Sequence, residues 1–345
     1  LFGDLRMKKL LIASAALAMV AGTAQAQSSV TLYGAYGNSV TSTKTAGVNV
    51  NSAAQNASRD HLSTTALGIK GTEDLGNGLS AFFVLEGDLS GNGTLGSAST
   101  TTGTSETTNI FNRHAHAGLK SNFGTLTVGR QNDSVKDTEG LAQVSNLSDN
   151  LANKTRVGDR IANAVKYATP TWNGLSATYT HSNNPADAAL DASNSTTDHN
   201  SFAINYKLPV NGGIDLAYAQ GEHTSAGAQT AKTTRISART KVMGVDVGAA
   251  YTTNQAASTA EKTKQTLVSV NKSLGNIDLK AHYWNNNATA GVGNTDDGFD
   301  GNGYGLMGVY NFSKRTAVYA GYSDFNATAI ANESKVTTVG LVHKF

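Results

Sequence analysis

The chain has no cysteine among its 345 residues, which excludes a disulfide framework, a thiolate metal site and a cysteine nucleophile. Proline is almost as scarce, with 3 copies at Pro170, Pro185 and Pro209, so little in the sequence interrupts regular backbone pairing. No run approaches the roughly 20 apolar residues that a spanning helix requires, so a helical crossing is excluded. Charge of one sign is also missing: the formal net charge is +2, and no basic run exists to track a nucleic-acid backbone. What the sequence does hold is 36 glycines, abundant Ser, Thr and Asn, and 24 aromatics (12 Tyr, 10 Phe, 2 Trp), too many for a disordered chain.

The first 26 residues read as a targeting segment. Met7 is followed by Lys8 and Lys9, the apolar run Leu10–Val20, and Ala24-Gln25-Ala26. A basic start, a short apolar stretch and a small-x-small site make a secretory signal peptide, over 7–26, with cleavage exposing Gln27. Leu1–Arg6 read as an upstream translation artefact. Arg6, Lys8, Lys9 and Asp4 would leave with this segment, so 27 basic and 25 acidic residues become 24 of each.

From Val30 onward the hydrophobic period is two. Sixteen alternating runs are predicted as strands, near 30–38, 64–73, 79–89, 111–120, 124–131, 162–170, 174–183, 200–208, 213–222, 233–242, 244–254, 264–273, 277–287, 303–312, 315–325 and 334–345. Their connections alternate in length. Short turns fall at Asp74–Gly78, Asn122–Gly124, Thr171–Gly174, Pro209–Gly213, Gly244, Gly275 and Ser313-Lys314, with long polar stretches between them. In Gly303–Phe312, the residues Tyr304, Leu306, Gly308, Tyr310 and Phe312 share one apolar face, and Ala317, Tyr319, Gly321 and Tyr322 are expected in an aromatic girdle. Lipid cannot hydrogen-bond an open sheet edge, so such strands must close. The expected fold is an all-β, 16-stranded antiparallel transmembrane β-barrel over 27–345, with an aqueous lumen.

Particular segments carry a family resemblance. Ser28–Gly34, Ala66–Leu79, Ala117–Gln131, Asn163–Tyr167 and Val339–Phe345 together resemble the trimeric general porins of Gram-negative bacteria, of the sixteen-stranded, beta-proteobacterial type. The resemblance implies an outer-membrane homotrimer whose pores pass ions and small hydrophilic solutes passively, with no enzymatic activity and no cofactor. It implies short periplasmic turns, long extracellular loops, and a third loop (here about Asn132–Arg160) folded inward to narrow the pore. A terminal Phe345 with Leu341 and Val339 upstream resembles the signal read by the barrel-assembly machinery.

In that family, loop carboxylates face a basic wall. The loop candidates are Asp133, Asp137, Glu139 and Asp149, and the wall candidates are Lys70, Arg113 and Lys166. Strand parity turns Lys70 inward opposite Leu67 and Ile69, and Lys166 inward opposite Val165 and Tyr167; Arg113 shares a face with Ala115 and Ala117. Parity sends Arg130 outward, as a trimer-interface candidate, and His114 and His116 outward too. Ala35, Ala66 and Val342 occupy inward positions that relatives often make basic, and the third loop carries Lys136, Lys154, Arg156 and Arg160 among its acids. A weakly ion-selective pore is expected. A sugar-selective channel is the alternative, but it calls for an inward aromatic ladder, and Tyr33 is the clearest inward aromatic. Gly303–Gly308 matches G-x-G-x-x-G, yet it lies inside a strand with no helix after it, so it carries no dinucleotide reading. No nucleophile and base are paired by the sequence, although His181, His199 and His223 have serines nearby.

Overall fold

The computed structural model describes residues 29–45, 48–52, 61–90, 95–99, 107–147, 157, 159–183, 197–210, 212–225, 228–256, 262–287, 300–327 and 333–345. The targeting segment 1–26 and Asp149 lie outside the described residues.

Sixteen strands form the wall, and all sixteen predicted runs are found in it. They are β1 (Ser29–Thr45), β2 (Ala66–Gly76), β3 (Leu79–Asp88), β4 (His114–Ser121), β5 (Gly124–Asn132), β6 (Arg160–Ala168), β7 (Leu175–Ser182) and β8 (Thr197–Leu208). They continue as β9 (Ile214–Ser225), β10 (Ala228–Val242), β11 (Val245–Ala256), β12 (Lys262–Leu274), β13 (Ile277–Asn287), β14 (Gly301–Asn311), β15 (Thr316–Ala327) and β16 (Ser334–Lys344). Each pairs antiparallel with the next in sequence, and β1 pairs with β16, from Ala35 against Lys344 to Thr45 against Ser334, which closes the sheet. The last residue takes part: the Phe345 amide donates to the Gly34 carbonyl at 3.0 Å, and the Gly34 amide returns the bond at 3.1 Å. Closure removes every sheet edge, which a wall meeting hydrocarbon requires.

The short connections are built from residues that tolerate positive φ. Asn77-Gly78 (φ 52° and 77°) and Asn173-Gly174 (φ 46° and 84°) have the mirror-image turn conformation that matches strand twist. On the other side, β1 runs on to Thr45 and pairs there with a short returning strand, Val48–Ser52. A small hairpin, Ser97–Ser99 with Thr107–Asn109, occupies the connection from β3 to β4.

Faces follow the period of two. Val30, Leu32, Val128, Leu306, Tyr310, Phe312 and Val339 are exposed on the outer face, which is where apolar side chains meet lipid. Residues one step away are buried and mostly small or polar, including Ser201, Thr233, Ser237, Ser269 and Thr338. One aromatic reading is corrected. Tyr319 is buried inside with Met307, Val309 and Val342, because it shares a face with Ala317 and not with the lipid-facing Tyr322. Trp284 and Phe325, with ring centroids 6.3 Å apart, are likewise inward and buried, so inward aromatics are more numerous than parity first suggested.

Candidate functional site: the pore constriction

The described part of the connection from β5 to β6 lies inside the barrel and is bound to the wall at several points. It is pinched at its base, where the Asp133 amide donates to the Asp159 carbonyl at 2.9 Å. Asp133 Oδ1 then accepts from the Lys136 amide at 2.7 Å, at the start of a 3-10 turn, Lys136–Leu141. Val135 packs on Ala203 of β8 and Ala219 of β9, and the Val157 amide donates to Thr233 Oγ1 on β10 at 3.0 Å. Further along, Ser269 of β12 donates to the Ala142 carbonyl, and Leu147 packs among Met307, Tyr319 and Val342. The Asn146 amide reaches the His61 carbonyl at 2.9 Å.

Two glycines seat this loop. A Cβ on Gly221 would lie 2.8 Å from a Val157 methyl carbon, and one on Gly248 would lie 2.5 Å from the Leu141 carbonyl oxygen. The backbone approaches so closely that only a hydrogen fits. The third loop is therefore an inner lining of β8–β16, and the open lumen lies between it and β1–β5.

Charged groups cluster on both sides of that gap. On the loop side Lys166 of β6 pairs with Asp137. Glu139 is buried and pairs with Lys136 at 2.6 Å and with Arg235 of β10 at 3.6 Å. Arg235 is fully buried and also donates to Thr252 Oγ1 at 3.0 Å. Asp137 stands at the loop's lumenal face but deep within the barrel, and that desolvation raises its carboxyl above the usual carboxylate range against the opposing Lys166 charge.

Asp133 departs from its expected place. It has no exposed surface, lies 3.3 Å from His199 Nε2, and anchors the loop base instead of lining the pore. His199 Nε2 also lies 3.2 Å from Ser201 Oγ. A catalytic triad needs the acid and the nucleophile on opposite ring nitrogens, whereas here both meet the same one, and all three groups are buried.

On the facing wall, Arg113 holds Glu86 at 2.5 Å and Asp88 at 2.9 Å, and Glu86 accepts a second bond from Tyr33 Oη at 2.8 Å. Lys70 projects inward over the Tyr33 ring, 4.9 Å from its centroid, and stays exposed to the lumen. Arg113 reaches this face by a route that parity did not describe. It precedes β4 in a turn, whereas Ala115 and Ala117 share the outer face with Leu119. His114 pairs with Glu86 and His116 with Val84, so both histidines face the lumen, not the lipid. Arg130 sits at a β-bulge between Gly129 and Gln131, half-buried, and donates to the Asn112 carbonyl at 2.6 Å.

Glu86, Asp88 and Arg235 were not singled out in the sequence. Alternation places Glu86 inward with Val84 and Phe82, and that parity was the available signal. Arg235 alternates inward with Thr233 and Ser237, but its partner Glu139 is 96 positions away and is brought near only by the loop's path.

A barrel wall with a lumenal loop seated in it has counterparts among known proteins. The family described as "Gram-negative porin" matches residues 13–329. The chain belongs to that family. A major outer membrane protein P.IB of Neisseria meningitidis serogroup A is 30% identical over 98% of this chain and the whole of the relative. An outer membrane porin protein of Bordetella pertussis is 33% identical over 65% of this chain, and outer membrane porin protein 32 of Delftia acidovorans is 35% identical over 50%. The chain spans 61% and 48% of those two relatives. Among solved structures, an anion-selective porin from Comamonas acidovorans superposes with a TM-score of 0.70 at 21% identity, covering 92% of this chain and all of that one. The porin is accordingly an outer-membrane β-barrel protein.

Proposed function

We propose that this porin is a general diffusion channel for ions and small hydrophilic solutes, narrowed by its third loop. The observation that carries the reading is the loop lying against β8–β16, with a polar, partly charged gap left opposite. On this reading Lys70, Arg113 and Lys166 with Asp137 border the constriction, while Glu139 and Asp133 hold the loop. Arg113 faces two carboxylates, which leaves one negative charge in excess, and Lys166 is matched by one. Lys70 has no carboxylate within salt-bridge reach among the described residues, and its charge offsets the extra carboxylate beside Arg113, so the gap is balanced in charge and weakly selective.

The finer assembly follows the same reading. The protein is exported by the segment 7–26 and recognised through Phe345 by the barrel-assembly machinery. It assembles as a homotrimer through the face of β1–β5, where Arg130 lies near the rim. Strands β4 and β5 have only 8 and 9 residues, and among the described residues the exposed tyrosines lie on β6–β14, with Tyr36 of β1 the exception. A wall poor in exposed tyrosine suits protein contact better than lipid contact.

Planar-bilayer recording tests the proposal. Stepwise insertion in threes, ohmic conductance and a zero-current potential close to zero in a KCl gradient are expected. Saturable block by one oligosaccharide would overturn it. The inward aromatics do not favour that alternative, because Trp284, Phe325 and Tyr319 are buried at 0%, 1% and 2% exposure and offer no ring face to a sugar.

A further inference from the structure

His114 and His116 alternate with lipid-facing residues yet point into the water-filled lumen, beside the Arg113–Glu86 pair. Neither is packed away: both are only partly buried. Their ring centroids are 5.6 Å apart and their planes are nearly perpendicular, at 85°. A divalent ion bound about 2.0–2.1 Å from an imidazole nitrogen lies about 3.2 Å from the ring centre. Two such rings at a tetrahedral angle have centroids about 5.2 Å apart. The observed spacing is within half an ångström of that value.

The hydrogen bonds point the same way. His116 Nδ1 lies 3.1 Å from the Arg130 carbonyl oxygen, which can only accept. The bond therefore places the proton on Nδ1 and leaves the Nε2 lone pair free, the second-partner arrangement that orients metal-ligating histidines. His114 Nδ1 has no hydrogen-bond partner among the described residues. Glu86, directly across from His114, is already engaged by Arg113 and Tyr33.

We propose that His114 and His116 form a two-histidine site for an imidazole-seeking divalent transition-metal ion such as Zn²⁺, on the pore wall at the constriction. No three His, Asp or Glu side chains converge on one point among the described residues, so water completes the coordination. Such a chelate is weak and reversible, as it must be in a conducting path. Arg113 and Lys166, which face the same stretch of lumen, weaken it further. The site's effect on current rests on the channel reading above; its binding does not.

The test uses the folded full chain in detergent, with ZnCl₂ as the probe. Calorimetry is expected to show one histidine-dependent Zn²⁺ per chain, weakened at least tenfold in His114→Gln and in His116→Gln but unchanged in His343→Gln. In bilayers, Zn²⁺ is expected to reduce the open current and EDTA to restore it, in the unmodified protein only. A second measurement needs no variant: Zn²⁺ is expected to protect His114 and His116 from diethyl pyrocarbonate, read by peptide mass spectrometry. Zn²⁺ affinity within twofold of the unmodified protein in both variants, or no protection of either ring, would overturn the site. Histidine-dependent binding by a barrel that conducts no ions would keep the site and sink the channel reading. Ordinary conductance with no such binding would do the reverse.

Discussion

Two arginines on opposite sides of the lumen invite comparison. Arg113 and Arg235 each hold carboxylates, and each is largely shut away from solvent. Arg113 takes its acids, Glu86 and Asp88, from the adjacent strand β3, so its network is part of the wall and stands whether or not the loop is in place. Arg235 takes Glu139 from the third loop, so its network exists only while the loop is seated. The same chemistry thus sets charge on one side and holds shape on the other. What differs is the source of the carboxylate.

The largest effect is expected on the shape-holding side. Arg235→Leu leaves Glu139 buried with Lys136 as its remaining cation, so the loss should fall towards the lower end of the about 3–5 kcal/mol that breaking a buried pair costs. Denaturant unfolding should show that loss, and conductance should rise as the loop leaves its seat. The double variant Arg235→Leu with Glu139→Leu should recover most of the stability, because the buried carboxylate is gone and Lys136 keeps Asp159 at 3.6 Å. Recovery failing in the double variant would break the comparison. Next in size is Gly248→Val, whose Cβ meets the Leu141 carbonyl oxygen at 2.5 Å; overpacking should cost about 1–3 kcal/mol and widen the pore.

On the charge-setting side, Arg113→Ala should leave stability nearer to that of the unmodified protein and act on selectivity. It frees Glu86 and Asp88 in the lumen, so the permeability ratio should shift roughly threefold towards cations, read from zero-current potentials. No shift would mean that ions do not pass this wall. The smallest effect is a pH dependence. Desolvation raises the Asp137 carboxyl, so it gains its proton at a higher pH than an ordinary aspartate as the solution is acidified. Protonation releases the Lys166 charge, and selectivity should therefore shift towards anions on acidification. Asp137→Asn should show the acidified selectivity already at neutral pH. A flat profile in the unmodified protein would remove Asp137 from the conducting path.

The number and order of the strands were legible from alternation alone, because one face of each meets lipid and the other water. Lys70, Lys166 and Tyr33 were placed inward by the same rule, and the structure agrees. The rule failed at the ends of strands. Arg113 precedes β4 in a turn, and assigning it the parity of Ala115 reversed the facing of His114 and His116. A one-residue error in register moves every side chain to the other face. Tyr319 was misassigned in the same way, from its closeness to Tyr322.

The sequence by itself determined a closed antiparallel wall, since period-two apolarity with Gly- and Asn-rich turns has few other solutions in a membrane. The tertiary structure alone decided which charges the lumen keeps. Acidic residues on the third loop are equivalent in sequence, yet Asp133 is buried beside His199, Glu139 clamps Arg235, and Asp137 faces the pore. Their roles depend on where a long loop lies against distant strands, and no local pattern records a contact made across the inside of a barrel.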